Sequence, residues 1–330
     1  MILWPRLFSR GLFLSIIQPL HIPTKWQHPH ASCELFIYRG DLEHPQAPGN
    51  KWHKLKYHLR EAKRIRARYM ATFGGPYSNH LHAFAATLRD TEMAGIAVVR
   101  GELQPRLTPT LYDVANAGVS LWPCTRQDYR LAEQSELVSY LNGQYEGIYW
   151  VPEGGGGVLG AKGCQDWADD IDYLDSECDA WVVSAGTGTT AAGLLASEKT
   201  PYLHVVSALK GAAAQADEIL SLASLVSEDQ TNIAALEERM TFHSDAHEGG
   251  YAKQSQALQQ FLRLFTDANP AQQLDPVYTC KTLFHVMNRI RDGKWPHKRT
   301  LLIHTGGLQG WRGYSAALNP YIASSLDGEK

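Results

Sequence analysis

The order of elements predicts an α/β fold, with mostly parallel sheets covered by helices on both faces. Short apolar runs at 70–73, 95–99, 148–151, 180–183, 202–206 and 301–303 have the unbroken hydrophobicity of strands buried on both sides, and amphipathic stretches separate them. With 330 residues, 44% apolar and 20% charged, the chain can bury one large or two moderate cores.

In order, a strand at 35–38 leads into a loop rich in proline and glycine from Gly40 to Asn50. The helix that follows places Leu55, Leu59, Ala62, Ile65 and Tyr69 on one stripe. Its other face is basic: eight of the eighteen residues from Lys51 to Arg68 are Lys or Arg, against the single acid Glu61. Three readings compete for that face: a solvated surface, a local anion site made by Lys51 and Lys54, or a nucleic-acid or membrane surface. Neither interleaved aromatics nor a second basic patch supports the last.

The strand at 70–73 turns through Gly74-Gly75-Pro76 into a helix carrying Leu81, Phe84, Ala85 and Leu88. Strands at 95–99, 119–122 and 148–151 are spaced by helices around 111–117 and around Leu137, Tyr140 and Leu141. A helix at about 159–174, the strand at 180–183, a helix from Thr189 and the strand at 202–206 follow. Helical stretches around 216–223 and 258–265, and one with Leu283, Val286, Met287 and Ile290, precede the strand at 301–303. There is no internal repeat or low-complexity tract.

A net charge of -3 and a pI near 6.5 give no overall pull toward nucleic acid or anionic lipid, so small-molecule chemistry is the expectation. Cys33, Cys124, Cys164, Cys178 and Cys280 contain no C-x-x-C pair, which argues for a reducing compartment and against a disulfide framework or thiolate zinc site. The pairs His28/His30 and His80/His82 lack further ligands, and no metal is expected. The apolar N-terminal run from Met1 to Ile17 is interrupted by Arg6 and Arg10 and precedes no small-residue cleavage site. No run reaches the roughly 20 apolar residues that span a bilayer. The expectation is a cytoplasmic protein without nucleic-acid or membrane partners.

Three stretches carry chemistry. Pro48-Gly49-Asn50-Lys51 puts a lysine at a helix start beside a glycine turn, where an amine can lose its proton and meet an aldehyde. Alone, it also reads as a surface lysine behind an N-cap-like Asn50. Ser184-Ala185-Gly186-Thr187-Gly188-Thr189-Thr190-Ala191 lies between a strand and a helix, so backbone N–H groups and threonine hydroxyls converge on an anion. The same loop matches the G-x-G-x-x-A dinucleotide pattern, but the next strand ends Val206-Ser207-Ala208-Leu209-Lys210 without a ribose-binding acid. A single terminal phosphate is therefore favoured over NAD or a structural glycine turn. Finally, Gly74-Gly75-Pro76-Tyr77-Ser78-Asn79-His80 offers free N–H groups for a carboxylate, or simple helix capping.

These motifs, with Asp275-Pro276-Val277-Tyr278-Thr279 and His304-Thr305-Gly306-Gly307, follow the order and approximate spacing of one family. From about residue 35 to 315 the chain resembles the 1-aminocyclopropane-1-carboxylate (ACC) deaminase and D-cysteine desulfhydrase group of pyridoxal phosphate (PLP) enzymes, fold-type II, related to the tryptophan synthase β chain. The resemblance implies that Lys51 is the Schiff-base lysine, that Lys54 helps hold the cofactor, and that Asn79 bonds its phenolic oxygen. Ala185, Gly186, Thr187, Gly188 and Thr189 would surround the phosphate, and Ser78 would hold the substrate carboxylate. Tyr278 would line the substrate side, with Thr279 near the pyridine nitrogen and Thr305 beside the cofactor.

The resemblance also implies two α/β domains, a discontinuous large one of residues 1–64 and 161–330 and a small one of 65–160, with PLP in the cleft of a homodimer. Threonine at 279 and 305, where deaminases carry glutamate and leucine, is the desulfhydrase pattern and points to D-cysteine α,β-elimination giving pyruvate, ammonia and sulfide. A carboxylate at the ring nitrogen would enforce its protonation and a threonine does not; elimination demands less of that electron sink than cyclopropane opening. ACC deamination, another PLP-dependent lyase or racemase reaction, and non-catalytic PLP or phosphate binding are the alternatives. The sequence departs from the family at Tyr77, in place of the usual glutamine, and in His247-Glu248-Gly249-Gly250-Tyr251-Ala252-Lys253, in place of its tyrosine loop. The segment upstream of the lysine, Tyr38-Arg39-Gly40-Asp41, departs as well.

Overall fold

A computed structural model describes residues 16–30, 32–44, 47–103, 106–174, 177–227 and 232–321. The N-terminal run weighed above lies outside them up to Ser15. Strands and helices alternate: β1 (Ile17–Leu20), β2 (Glu34–Tyr38), α1 (Asn50–Arg64), β3 (Tyr69–Gly74), α2 (Asn79–Leu88), β4 (Ala94–Arg100), α3 (Pro109–Asn116), β5 (Ser120–Cys124), α4 (Arg126–Tyr129), α5 (Glu136–Gln144) and β6 (Ile148–Val151). There follow α6 (Gly157–Leu174), β7 (Ala180–Ala185), α7 (Thr189–Ala196), β8 (Tyr202–Ser207), α8 (Gln215–Val226), α9 (Ile233–Glu237), β9 (Met240–His243), α10 (Gln256–Ala268), α11 (Thr279–Arg291) and β10 (Arg299–Ile303).

Two sheets form. One has the order β5-β4-β3-β6 and is parallel throughout; the other has the order β1-β2-β10-β7-β8-β9. Each is buried on both faces, as unbroken apolar strands require. In the larger sheet Trp181, Val183, Leu203 and Ile303 pack under α6, α7 and α8, while Val182, Val206 and Leu302 meet Phe261, Phe265 and Met287 of α10 and α11. In the smaller sheet Met70, Ala97 and Val99 meet Leu55, Ala62, Leu81 and Phe84, and Phe73, Ile96 and Val98 meet Tyr129, Val138 and Leu141. Each such buried aliphatic or aromatic side chain contributes about 1.5–3 kcal/mol.

Helix α1 touches both halves. Leu55 and Ala62 point to the smaller sheet's core, whereas His53 stacks on Trp167 of α6 at 4.6 Å and the Tyr57 hydroxyl donates to Asp166 at 2.9 Å. Its stripe is shorter than the spacing predicts. The helix ends at Arg64; Arg66 turns left-handed (φ 57°), leaving Ile65 47% exposed and giving Tyr69 to β3.

The sheets are mostly parallel, as expected; β1 runs antiparallel to β2 at an edge, where Pro19 is tolerated. Two further expectations are corrected. Strand β9 adds a parallel edge where none was expected. In α5 the buried residues are Val138 and Leu141, while Tyr140 faces solvent.

Candidate active site

Ligands in α/β folds sit beyond the carboxyl ends of the strands. Here the turns after β3, β7 and β10, the first turn of α1 and the turn after β6 enclose a cavity of about 490 Å³. A hollow of about 560 Å³ beside β1 and β2, lined by His21, His28 and Ile290 among others, holds none of the predicted site residues.

The floor is the start of α1. Gly49 has φ 79°, and a Cβ there would lie 2.2 Å from the Thr305 carbonyl oxygen, so only glycine lets the helix dock on the turn after β10. The Asn50 amide donates to Thr190 Oγ1 at 2.8 Å, and Asn50 Oδ1 accepts from Lys51 Nζ at 2.9 Å. Burial of the Lys51 amine, reinforced by the charge of Lys54, pushes its pKa down to about 7. Lys54, one turn on, donates to Thr187 Oγ1 at 3.3 Å and is lowered by burial to about 8. The basic face thus divides. Lys51 and Lys54 line the cavity, while Lys56 pairs with Asp166, Arg60 lies over the Tyr57 ring and Arg64 pairs with Glu61.

One wall is the turn after β7. Ser184 to Gly188 line the cavity, and Gly188 (φ 77°) starts α7, whose first N–H groups have no partner within the helix. A Cβ on Gly186 would meet the Tyr278 ring at 3.0 Å. Gln215 fixes the loop, donating to the Gly186 carbonyl and accepting from the Ser207 hydroxyl. Thr189 does not line the cavity; it is buried behind the loop, 3.2 Å from the Thr187 hydroxyl.

The opposite wall is the turn after β3. Ser78 Oγ accepts from the Leu81 N–H at 3.2 Å and so caps α2, yet a hydroxyl that accepts can still donate to a ligand. The Asn79 oxygen accepts from Gln309 Nε2 at 3.0 Å, which orients its NH₂ group. Buried His80 lies 2.7 Å from Thr72 Oγ1, and that hydroxyl donates to the Val151 carbonyl. His80 must therefore donate from Nε2, which leaves Nδ1 a lone-pair acceptor with no partner among the described residues. Burial, then the charges of Lys51 and Lys54, hold the ring neutral.

The far side comes from the C-terminal motifs. Fully buried Asp275 accepts the N–H groups of Val277, Tyr278 and Thr279 at 2.7–3.0 Å, fixing Tyr278 at the cavity as α11 begins. Burial keeps the Tyr278 phenol protonated, its pKa well above the usual value. Thr305 lines the cavity with its hydroxyl 3.4 Å from Ser184 Oγ. Thr279 does not line it; it is buried one residue behind Tyr278, with Oγ1 lacking a partner among the described residues.

The sequence reading missed four contributors. Arg100 at the end of β4 lies over the Tyr129 ring, and Glu153 accepts from the Tyr129 hydroxyl at 2.7 Å. Gly154 opens a glycine-rich turn that His58 pins by donating to the Gly156 carbonyl; four successive glycines at 154–157 were the available signal. Tyr251, from the segment that departs from the family, meets Tyr278 edge-on at 6.1 Å between centroids.

No family model matches the chain. It is 27% identical over 321 residues to the mitochondrial bifunctional D-cysteine desulfhydrase/1-aminocyclopropane-1-carboxylate deaminase of Arabidopsis thaliana, covering 88% of this chain and 77% of that one. It is 28% identical over 283 residues to a putative 1-aminocyclopropane-1-carboxylate deaminase of Thermotoga maritima, covering 84% and 89%. The resemblance read from the motifs is thus borne out by relatives that carry both names. A crystal structure of an ACC deaminase homologue superposes with a TM-score of 0.74 at 23% identity, covering 93% of this chain and 97% of that one. The fold is the fold-type II α/β architecture.

Proposed function

We propose that this chain is a PLP-dependent lyase acting on a small amino acid, with D-cysteine α,β-elimination to pyruvate, ammonia and sulfide as the favoured reaction. The observation that carries the reading is Lys51: a buried amine with a pKa near 7, at a helix start, facing a glycine-threonine helix N-terminus across one cavity. The residues fit the cofactor. The cradle from Ala185 to Gly188 admits no extra side chain at Gly186, and one cavity joins it to the Lys51 amine, Asn79 and Thr305.

In this reading Lys51 would hold the aldehyde and be freed when the substrate amine takes that place, while Lys54 and residues 185–188 would hold the phosphate, with Thr189 bracing Thr187 from behind. Asn79 would donate to the phenolic oxygen and Thr305 would lie beside the cofactor, while Thr279, which does not line the cavity, would stand behind Tyr278. When bound, PLP supplies an electron sink for charge developed at Cα. The protein supplies the rest. Ser78 and the neighbouring N–H groups hold the substrate carboxylate, which aims the Cα–H bond at the Lys51 amine. That amine, once freed and half neutral near pH 7, takes the α-proton, and the Tyr278 phenol hands a proton to the departing sulfur. The proposal extends to the division into residues 1–64 with 161–330 and 65–160, to a homodimer, and to a cytoplasmic setting. Among the described residues no helix is long and apolar enough to cross a membrane.

The test is to add PLP to the purified protein, follow the visible band, repeat with Lys51→Ala, and assay products from a substrate panel. A wild type that gains no band overturns the reading. Pyruvate from D-cysteine supports it, 2-oxobutyrate from ACC redirects it to the deaminase, and a band without any product leaves a binding protein.

A further inference from the structure

We infer that Lys281 is a positioning residue of the cavity: its ammonium, bonded to the carbonyls of His247 and Gly250, holds the turn that sets Tyr251 against Tyr278. Lys281 lies on α11, three residues beyond Tyr278, and is 1% exposed. Its Nζ donates to the His247 carbonyl at 2.9 Å and to the Gly250 carbonyl at 2.7 Å. Among the described residues it has no carboxylate within ion-pair distance, so the two carbonyls are its direct partners, and the more distant charges of Glu248 and Asp275 add to what they offset.

The turn it holds would not keep this shape by itself. Glu248 (φ 50°), Gly249 (98°), Gly250 (114°) and Ala252 (55°) all have positive φ, and two of them carry a Cβ. Such a run persists only where the surroundings over-determine it. Besides the turn's own N–H bonds from Gly249 and Gly250 to His247 and from Lys253 to Gly250, the described ties are at its rim: Ser255 donates to Glu248, the Tyr314 hydroxyl to the Ala252 carbonyl, and Gln254 to the Pro276 carbonyl. Lys281 alone reaches both ends of the tight part, from the helix that also carries Tyr278. One rigid element therefore holds both aromatic walls, and this ammonium acts on the spacing between Tyr251 and Tyr278 together with the hydrogen bond between their hydroxyls. That the spacing governs a reaction rests on the proposed function; the tie itself does not.

The experiment is hydrogen exchange of peptides spanning 247–253 in the full chain, with and without PLP, for wild type and Lys281→Met. The amides of Gly249, Gly250 and Lys253 are hydrogen-bonded within the turn and report on it. They are expected to exchange about tenfold faster or more in Lys281→Met, with protection in β7 and β10 unchanged. Turnover of whichever panel substrate is used should fall, and the fall should vanish when both proteins also carry Tyr251→Ala, which removes the wall. Unchanged exchange at 247–253, loosening spread equally over the sheet, or an undiminished effect in the Tyr251→Ala background overturns the inference. Should Lys281→Met not fold, Gly250→Ala, which leaves Lys281 in place but strains the carbonyl it holds, must loosen the same peptides; unchanged exchange there overturns it too. A wild type without the PLP band fails the functional reading alone, since the exchange measurement is made without cofactor as well.

Discussion

The turn after β7 and the turn after β3 both carry the chain from the carboxyl end of a parallel strand into a helix, and both deliver helix N–H groups to the same cavity. In the first, glycines at 186 and 188 strip away side chains so that the backbone itself meets the ligand. In the second, Ser78, Asn79 and His80 each hold a defined hydrogen-bonding role through a protein partner. A backbone cradle suits a group that stays, such as a phosphate; directed side chains suit one that must arrive in a fixed orientation and leave. Between the two turns stand Lys51 and Lys54. The lysine near 8 is mostly charged at neutral pH and suits an anion, while the lysine near 7 is half neutral and suits a nucleophile.

The sharpest test of that division is Lys51→Ala. It should abolish the visible band and lower turnover by about a thousandfold or more, whereas Lys54→Met should keep the band and weaken cofactor binding by about ten- to a hundredfold. A band that survived only with Lys54 intact would exchange the two roles. Next in size is Gly188→Ala. Its Cβ would lie 2.8 Å from Ile219 Cγ1 at a φ of 77°, so the cofactor dissociation constant, titrated by the band, should rise about tenfold or more while the substrate KM stays unchanged.

Ser78→Ala should do the converse. KM is expected to rise about tenfold with cofactor affinity unchanged, and loss of the cap of about 1 kcal/mol should lower the melting temperature by a few degrees. Equal effects of the glycine and serine changes on both constants would break the comparison. The smallest effect is on pH. Capture of PLP needs the neutral Lys51 amine, so its rate should climb with pH up to about 7 and level off above. Removing the Lys54 charge in Lys54→Met raises the Lys51 pKa, and the midpoint of the climb should move to higher pH.

What could be read from the chain beforehand follows from where the information lies. The Ala185–Gly188 loop announces itself because backbone chemistry needs glycine and threonine in sequence, and Lys51 gained its standing from that loop and three other local motifs. Arg100, Glu153 and Tyr251 carry no local pattern; they reach the cavity only because three distant segments end at one rim. The same holds for histidines that look scattered in sequence. His204 bonds His243 at 3.0 Å and His297 at 2.8 Å across 39 and 93 residues. Strands β3, β4, β7, β8 and β10 were legible because both faces are buried. Strand β1 was not, since a four-residue edge containing Pro19 has no such run.

The order of strands in the larger sheet has a consequence for synthesis. Residues 69–151 supply every strand of the smaller sheet, which can pair as soon as that stretch has left the ribosome. The larger sheet cannot, because β10, its last strand to be made, lies between β2 and β7 near its middle. Until residue 303 emerges, β2 has no parallel neighbour, and the turn on which Gly49 docks does not exist. A ribosome stalled ahead of that strand would hold a finished small sheet and a Lys51 with no pocket around it.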